Sequence, residues 1–93
     1  MNIAKLRSIQ KHIEQALPGF AWTVLTRKEV AELGIADPPC AMLRGQMGET
    51  FVTLDVDGEI WMAGEFLPDV DTALAPKELA CQLTQRLHEI SQA

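Results

Sequence analysis

The feature that most constrains the fold of this chain is a pair of alternating apolar and polar runs on either side of Asp57-Gly58. An Asp-Gly pair between two such runs is a strong hairpin signal, because a two-residue type I′ turn needs positive φ at both central residues. Residues 50–56 and 59–66 are therefore predicted to be neighbouring antiparallel strands.

A second hairpin is predicted one strand earlier, where Gly48-Glu49 can close a two-residue turn onto residues 40–47. With two-residue loops at both turns, the register pairs Leu54 with Leu43 on one side and with Trp61 on the other. The face that carries these three side chains is almost wholly apolar, so Trp61 is predicted to lie in the core under a helix.

The opposite face of this meander is mixed in polarity and is predicted to be a partner-binding surface if both long helices cover the first face. If one helix covers each face instead, the same side chains are ordinary core, and the sequence leaves both arrangements open. An uncovered apolar patch with polar neighbours is typical of an interface. The residues assigned to this face are Met42, Arg44, Phe51, Thr53, Ile60 and Met62. An acidic rim at the turn, which would steer a basic partner, consists of Asp55, Asp57 and Glu59.

The rest of the chain is predicted to form two long helices, a short helix and a fourth strand. Residues 20–26 alternate as a strand does, and apolar residues recur at helical spacing near both termini. The two helical stripes are Ile3, Leu6, Ile9, Ile13 and Leu17, then Leu79, Leu83, Leu87 and Ile90. The predicted fold class is α+β, a four-stranded antiparallel sheet with an N-terminal and a C-terminal helix. The expected order is α-β-(short α)-β-β-β-α in a single domain over residues 1–93.

The short helix is indicated by Thr26 and Glu29, which form a capping box ahead of residues 27–33. The sequence from Leu25 to Ile35 resembles the first helix of the helix-turn-helix units in excisionase-like regulators. That resemblance implies a DNA-reading recognition helix immediately afterwards. The chain departs from the pattern there, because residues 36–39 read Ala-Asp-Pro-Pro and two prolines prevent an immediate helix. These residues are predicted to be an extended linker.

The charge of the chain is unevenly distributed along its length. The net charge is −5, and residues 45–76 hold seven acidic residues with no lysine or arginine. Affinity for nucleic acid depends on lysine and arginine, so nucleic acid is an unlikely main partner. The basic side of the N-terminal helix, with Arg27 and Lys28, keeps a nucleic-acid-binding accessory role as an alternative.

No catalytic, metal or cofactor site is predicted. A calcium loop with Gly58 at its sixth position would place Gly64 where a bidentate glutamate is needed. The histidines and cysteines lack metal-ligand spacing, and there is no glycine-rich phosphate loop. The chain is therefore predicted to be non-enzymatic.

The cysteines and the lack of a long apolar run predict the cellular location of the protein. Cys40 and Cys81 are too few for a disulfide framework, so two free thiols in a reducing cytoplasm are expected, each buried as a small apolar side chain. No stretch approaches the roughly 20 apolar residues of a membrane span, and the N-terminus is amphipathic rather than a secretory signal. No membrane partner is expected.

Together these features predict a small acidic cytoplasmic module that binds another protein, one with basic charge, and masks a surface on it. An accessory inhibitor from a phage or mobile element fits the size and charge. One alternative is a dimeric chaperone-like protein for an exported partner. The sequence leaves open whether the chain forms a homodimer. The other is a nucleic-acid-binding accessory protein that uses the basic N-terminal helix.

Overall fold

The computed structural model describes residues 1–35 and 37–92. In chain order its elements are α1 (Ile3–Ala16), β1 (Ala21–Thr26), α2 (Arg27–Glu32), β2 (Ala41–Met47), β3 (Thr50–Asp55), β4 (Ile60–Met62), β5 (Glu65–Phe66) and α3 (Pro76–Gln92). The strands form one antiparallel sheet in the order β1-β2-β3-β4-β5. The predicted α+β class is confirmed, with five strands in the described residues instead of four.

The N-terminal helix begins and ends where the sequence predicts. The Asn2 Oδ1 atom accepts a hydrogen bond from the Lys5 backbone N–H at 2.8 Å, which satisfies one of the free amides of the first turn. At the other end the Leu17 N–H donates to the Ile13 carbonyl, directly ahead of Pro18. The predicted stripe faces inward at Leu6, Ile9 and Ile13, which have no exposed surface, whereas Ile3 at its start is 36% exposed.

Both long helices cover the same face of the sheet. α1 and α3 pack side by side, and their inner side chains share one apolar core with the sheet. The core residues contributed by α3 are Leu79, Ala80, Leu83 and Leu87. The sheet residues in this core are Trp22, Ala41, Leu43, Val52, Leu54, Ile60 and Met62. The opposite face of the sheet is therefore left to the short helix α2 and the linker that follows it.

The predicted register of the Gly48-Glu49 hairpin is confirmed. Met47 pairs with Thr50, and Leu43 pairs with Leu54, so two residues form the loop. Gly48 has a φ of +60°, which the first central residue of a type II′ turn requires.

The Asp57-Gly58 hairpin differs from the predicted register by one residue. Leu54 pairs with Ile60, and Thr53 pairs with Trp61, whereas a two-residue loop would pair Leu54 with Trp61. The Asp55 N–H donates to the Glu59 carbonyl at 3.1 Å, so the loop has three residues, 56–58. Its last residue, Gly58, has a φ of +89°, as in a type I turn extended by one left-handed residue.

The one-residue shift exchanges the faces of the β4 side chains, because side chains alternate along a strand. Ile60 and Met62 have no exposed surface and lie in the core, so their assignment to the open face is wrong. Trp61 lies on the open face and is 47% exposed, so its assignment to the core is also wrong. The reason is the Asp55 carboxylate, whose Oδ1 accepts from the Asp57 and Glu59 N–H groups at 2.9 and 3.0 Å. These bonds stabilise the longer loop.

Residues 59–66 were predicted as one strand, but a turn divides them. Ala63 and Gly64 have φ values of +51° and +83°, the positive pair that a type I′ turn requires. The turn folds β5 back onto β4, so that Phe66 pairs with Trp61. Both aromatic rings therefore lie on the same face of the sheet.

The short helix α2 confirms the capping box and covers part of the open face. The Thr26 N–H donates to the Glu29 Oε1 atom at 3.2 Å, and Val30 is fully buried against Leu25 and Met42. Within residues 33–35 and 37–40 no second helix follows, so the recognition helix implied by the helix-turn-helix resemblance does not occur there.

The linker after α2 departs in part from its expected extended form. Asp37 has a φ of +50°, in the left-handed region that asparagine and aspartate adopt more readily than most residues. Ala36, also assigned to the linker, lies outside the described residues.

The two cysteines are free, as predicted, but both are exposed, so the expectation of buried thiols is wrong. Cys40 ends the linker ahead of β2. Cys81 lies two residues from both Leu79 and Leu83, and at 100° per residue this places it on the outer side of α3. Across the described helices, none has the length and apolar character needed to cross a membrane.

Candidate functional site

The open face of the sheet carries a groove, which we call the open-face groove. The sheet forms its floor, and Leu33, Ile35, Asp37 and Pro39 form one side, with a cavity volume of about 370 Å³. Seven of the nine predicted binding residues line it: Met42, Arg44, Phe51, Thr53, Asp55, Asp57 and Glu59. The other two, Ile60 and Met62, lie in the core on the far side of the sheet.

Trp61 and four residues between α2 and β2 complete the groove, and none of these five was predicted as a site residue. The four residues between α2 and β2 are Leu33, Ile35, Asp37 and Pro39. A sequence signal for Trp61 existed. Asp55 stands three residues before Gly58, a spacing that suits an aspartate-stabilised three-residue loop and turns Trp61 outward.

Three aromatic side chains are exposed on this face. Phe51, Trp61 and Phe66 are 37%, 47% and 45% exposed. The rings of Trp61 and Phe66 lie 5.2 Å apart between centroids with an interplanar angle of 32°, a favourable aromatic contact. The turn at residues 63–64 creates this pair, because it brings β5 alongside β4.

Arg44 lies near the centre of the groove and is half-buried. Its Cζ atom is 4.7 Å from the centroid of the Phe51 ring, within the range of a cation–π contact. Thr53 pairs with Arg44 on one side and with Trp61 on the other, so these three residues form a row across the sheet. The contact with Phe51 holds the guanidinium against the sheet.

Met42 contributes to the floor of the groove and offers little surface of its own. It is 6% exposed and packs with Leu25 and Val30 beneath α2. Its role is to support the groove, whereas Leu33, Ile35, Phe51 and Trp61 are the exposed apolar residues of the lining.

The acidic rim occupies the end of the groove formed by the β3–β4 loop. Asp57 and Glu59 are exposed, whereas Asp55 is 7% exposed and holds the loop through its Oδ1 atom. With Asp37 the groove has four carboxylates against the single guanidinium of Arg44, a formal charge of −3. A groove of one sign attracts groups of the opposite sign.

A second groove, with a volume of about 720 Å³, lies between α1 and α3. The fold brings His12, Cys81 and His88 to its lining, although their spacing in sequence gives no sign of this. In the described chain no three histidine, cysteine, aspartate or glutamate side chains are placed to hold a metal ion.

Comparison of the chain with protein families, with curated proteins and with solved structures gives no match.

Proposed function

We propose that this chain is a small acidic protein-binding module whose open sheet face masks a surface on another protein. The observation that carries the proposal is the exposure of Phe51, Trp61 and Phe66 on a face that both long helices leave uncovered. Large apolar patches with polar neighbours mark interaction sites on soluble proteins. Aromatic residues and arginine are enriched at the centres of such interfaces, and Arg44 lines the groove together with Phe51 and Trp61.

A partner with basic surface charge suits the acidic rim and the net charge of −5. Charges of opposite sign across an interface accelerate association and exclude wrongly charged partners. An accessory inhibitor from a phage or mobile element fits this size and charge. The exposed free thiols of Cys40 and Cys81 support a reducing compartment, the cytoplasm, as the location.

The proposed role is non-enzymatic. Two charged groups of the groove have structural contacts: the Asp55 Oδ1 atom holds the β3–β4 loop, and Arg44 lies over Phe51. This arrangement supports a role in presenting a fixed surface.

The structure favours protein over nucleic acid as the partner. The Lys5 ammonium donates to the Thr72 carbonyl at 2.8 Å, so one of the basic groups of α1 is engaged within the chain. Arg27 and Lys28 belong to α2, which packs on the opposite face of the sheet from α1. The basic side chains of the two helices thus do not converge on one surface, as a phosphate backbone requires.

The proposal is tested by affinity capture from a lysate of the source cells, with four forms of the protein as bait. The groove variants are Phe51→Asp and Trp61→Asp. The control is Met47→Asp, which introduces the same charge at an exposed apolar side chain outside the groove. We expect one protein to be retained by the wild type and the control and lost by both groove variants.

Calorimetry with the purified pair should show at least about a tenfold weaker affinity for both groove variants. A partner that binds all four forms equally would contradict the proposal.

Light scattering on the wild type and Phe51→Asp separates this proposal from the dimeric chaperone-like alternative. Because Phe51 is 37% exposed, we expect Phe51→Asp to stay folded, and the proposal predicts that both forms are monomers. A wild-type dimer that becomes a folded monomer on Phe51→Asp would place the open face at a self-interface and favour the alternative. An unfolded variant would show that the face is core, and the proposal would fail.

A further inference from the structure

We infer that the open-face groove receives an arginine side chain of the partner protein. This inference rests on the proposed function, since it names the chemistry that the partner brings to the same groove. The argument has four parts: the shape of the groove, its charge, the state of Asp55, and the aromatic rings along the floor.

The shape of the groove suits a long side chain with an apolar stem and a charged end. Apolar groups line one side and the floor. Leu33 and Ile35 lie on the side formed after α2, and Phe51 and Trp61 lie on the sheet that forms the floor. The β3–β4 loop adds the acidic rim to the same cavity of about 370 Å³. Arginine and lysine side chains bury their methylene stems in this way while their charged ends reach polar groups.

The charge of the groove is not balanced within the described chain. The ion pairs of the described residues involve Arg86 with Asp69 and with Glu89, both outside the groove. Arg44, the cation that lines the groove, lies over the Phe51 ring instead of pairing with a carboxylate. A cationic side chain from a partner would offset this negative charge in a setting partly shielded from water, where the attraction between charges is stronger than in bulk solvent.

Asp55 is held ready to accept such a group. It is 7% exposed, and its Oδ1 atom accepts two backbone hydrogen bonds that fix the orientation of the carboxylate. Among the described residues no donor bonds to its Oδ2 atom, and Asp55 is one of the residues that line the groove. Hydrogen bonds from a charged donor to such a carboxylate are among the strongest in proteins.

The aromatic side chains favour arginine over lysine. A guanidinium is planar, stacks on aromatic rings and matches the geometry of a carboxylate, whereas an ammonium is a compact and more strongly hydrated charge. Arg44 over Phe51 is one guanidinium–ring contact already present in the groove. The exposed ring of Trp61 offers a second aromatic surface.

A second copy of this chain fits the groove less well than a basic partner. In a two-fold dimer through the open face the same surface lies on both subunits, so two grooves of formal charge −3 would meet in one interface. Like charges placed together in an interface are unfavourable.

The test uses a short blocked peptide, acetyl-Thr-Val-Arg-Val-Thr-amide, and the same peptide with citrulline in place of arginine. Citrulline has nearly the shape of arginine without its charge. Each peptide is titrated to millimolar concentration into the ¹⁵N-labelled wild-type protein. The two indole N–H signals provide an internal comparison, because the Trp22 indole is buried and donates to the Leu17 carbonyl. Trp61 is exposed at the groove.

We expect the arginine peptide to shift the Trp61 indole signal and the backbone amide signals of Asp57 and Glu59, while Trp22 stays unchanged. The citrulline peptide should bind at least about tenfold more weakly, and added salt should weaken only the arginine peptide. Equal binding of the two peptides, or no shift at Trp61, would overturn the inference.

Matched variants test the role of the rim. Asp57→Asn removes one charge from the groove, and Glu49→Gln removes one charge from the other hairpin turn of the sheet. The first should weaken binding of the arginine peptide by roughly threefold to tenfold, and the second should leave it unchanged. Equal effects of the two changes would mean that net charge alone attracts the peptide, and the inference would be wrong.

Failure of this inference can be told apart from failure of the proposed function. If the arginine peptide does not bind, but a captured protein still distinguishes Phe51→Asp from Met47→Asp, only the inference is overturned. If no protein distinguishes those variants and the peptide does not bind, both are overturned.

Discussion

The indole ring of Trp22 lies across Gly45, its direct partner on the neighbouring strand. A Cβ atom built on Gly45 would lie 2.5 Å from Cε3 and 2.7 Å from Cη2 of this ring. The indole N–H donates to the Leu17 carbonyl at 3.2 Å, so the ring also contacts the end of α1. The pair fixes how the first helix meets the sheet.

We predict that Gly45→Ala lowers the free energy of unfolding by about 1–3 kcal/mol, because the new methyl group would displace a buried ring. Urea denaturation measures the loss. Gly19→Ala is the control, since its Cβ would meet only the Met47 sulfur at 3.2 Å. An equal loss for both variants would contradict the close approach of Trp22 to Gly45.

The shifted register of β4 predicts that substitutions at two adjacent residues lower the free energy of unfolding by very different amounts. Met62 has no exposed surface, and Met62→Ala should cost about 2–5 kcal/mol of stability. Trp61 is 47% exposed, so Trp61→Ala should cost no more than about 1 kcal/mol, most of it from the contact with Phe66. Denaturant melts of the two variants decide the register. A larger loss for Trp61→Ala would restore the register expected from a two-residue loop.

The side chain of Asp55 should matter through its two hydrogen bonds. Asp55→Ala removes the acceptor for the Asp57 and Glu59 N–H groups and should cost about 1–3 kcal/mol. Asp55→Asn keeps an acceptor oxygen at the same place and should recover part of that stability. Thermal melts of both variants, with amide hydrogen exchange at residues 57 and 59, measure the effect. Unchanged exchange in Asp55→Ala would mean that the loop does not depend on this carboxylate.

The ion pair of Asp69 and Arg86 predicts a pH dependence. Arg86 donates to the Asp69 Oδ2 atom at 2.7 Å, and this hydrogen bond lowers the pKa of the Asp69 carboxyl below its ordinary value of 3.8. Because the folded pKa is the lower one, the contribution to stability is present above about pH 4 and disappears as the pH falls through the folded pKa.

The check compares the melting temperatures of the wild type and Asp69→Asn from about pH 6 down to about pH 2. The wild type should melt at the higher temperature near neutral pH, and the difference should vanish in acid, where the aspartate is uncharged. Because the pair is exposed, added salt should also reduce the difference. A difference that persists in acid would assign the effect to something other than charge.

Much of the fold was predictable because local features agree with one another. The capping box of Thr26 and Glu29, the cap at Asn2 and the turn at Gly48 each act over a few residues, so their effect can be read from the chain. The stripes of both long helices were also predictable, since burial on one side requires a regular spacing.

The candidate site was predictable only in part. The β2–β3 register correctly placed Arg44, Phe51 and Thr53 on the open face. Trp61 was missed because an Asp-Gly pair suits either a two-residue or a three-residue loop. The choice depends on the Asp55 carboxylate, and one residue of difference reverses a whole strand.

The α+β class, the positions of the helices, and the acidic rim with Phe51 on the same face all follow from the amino-acid sequence alone. Three features emerged only in the folded chain: α1 and α3 cover the same face, the turn at residues 63–64 brings Phe66 beside Trp61, and Leu33, Ile35, Asp37 and Pro39 line one side of a groove. The difference lies in how far apart in sequence the interacting residues are. Caps, turns and spacing involve neighbours along the chain, whereas the covered face depends on packing between segments far apart in sequence.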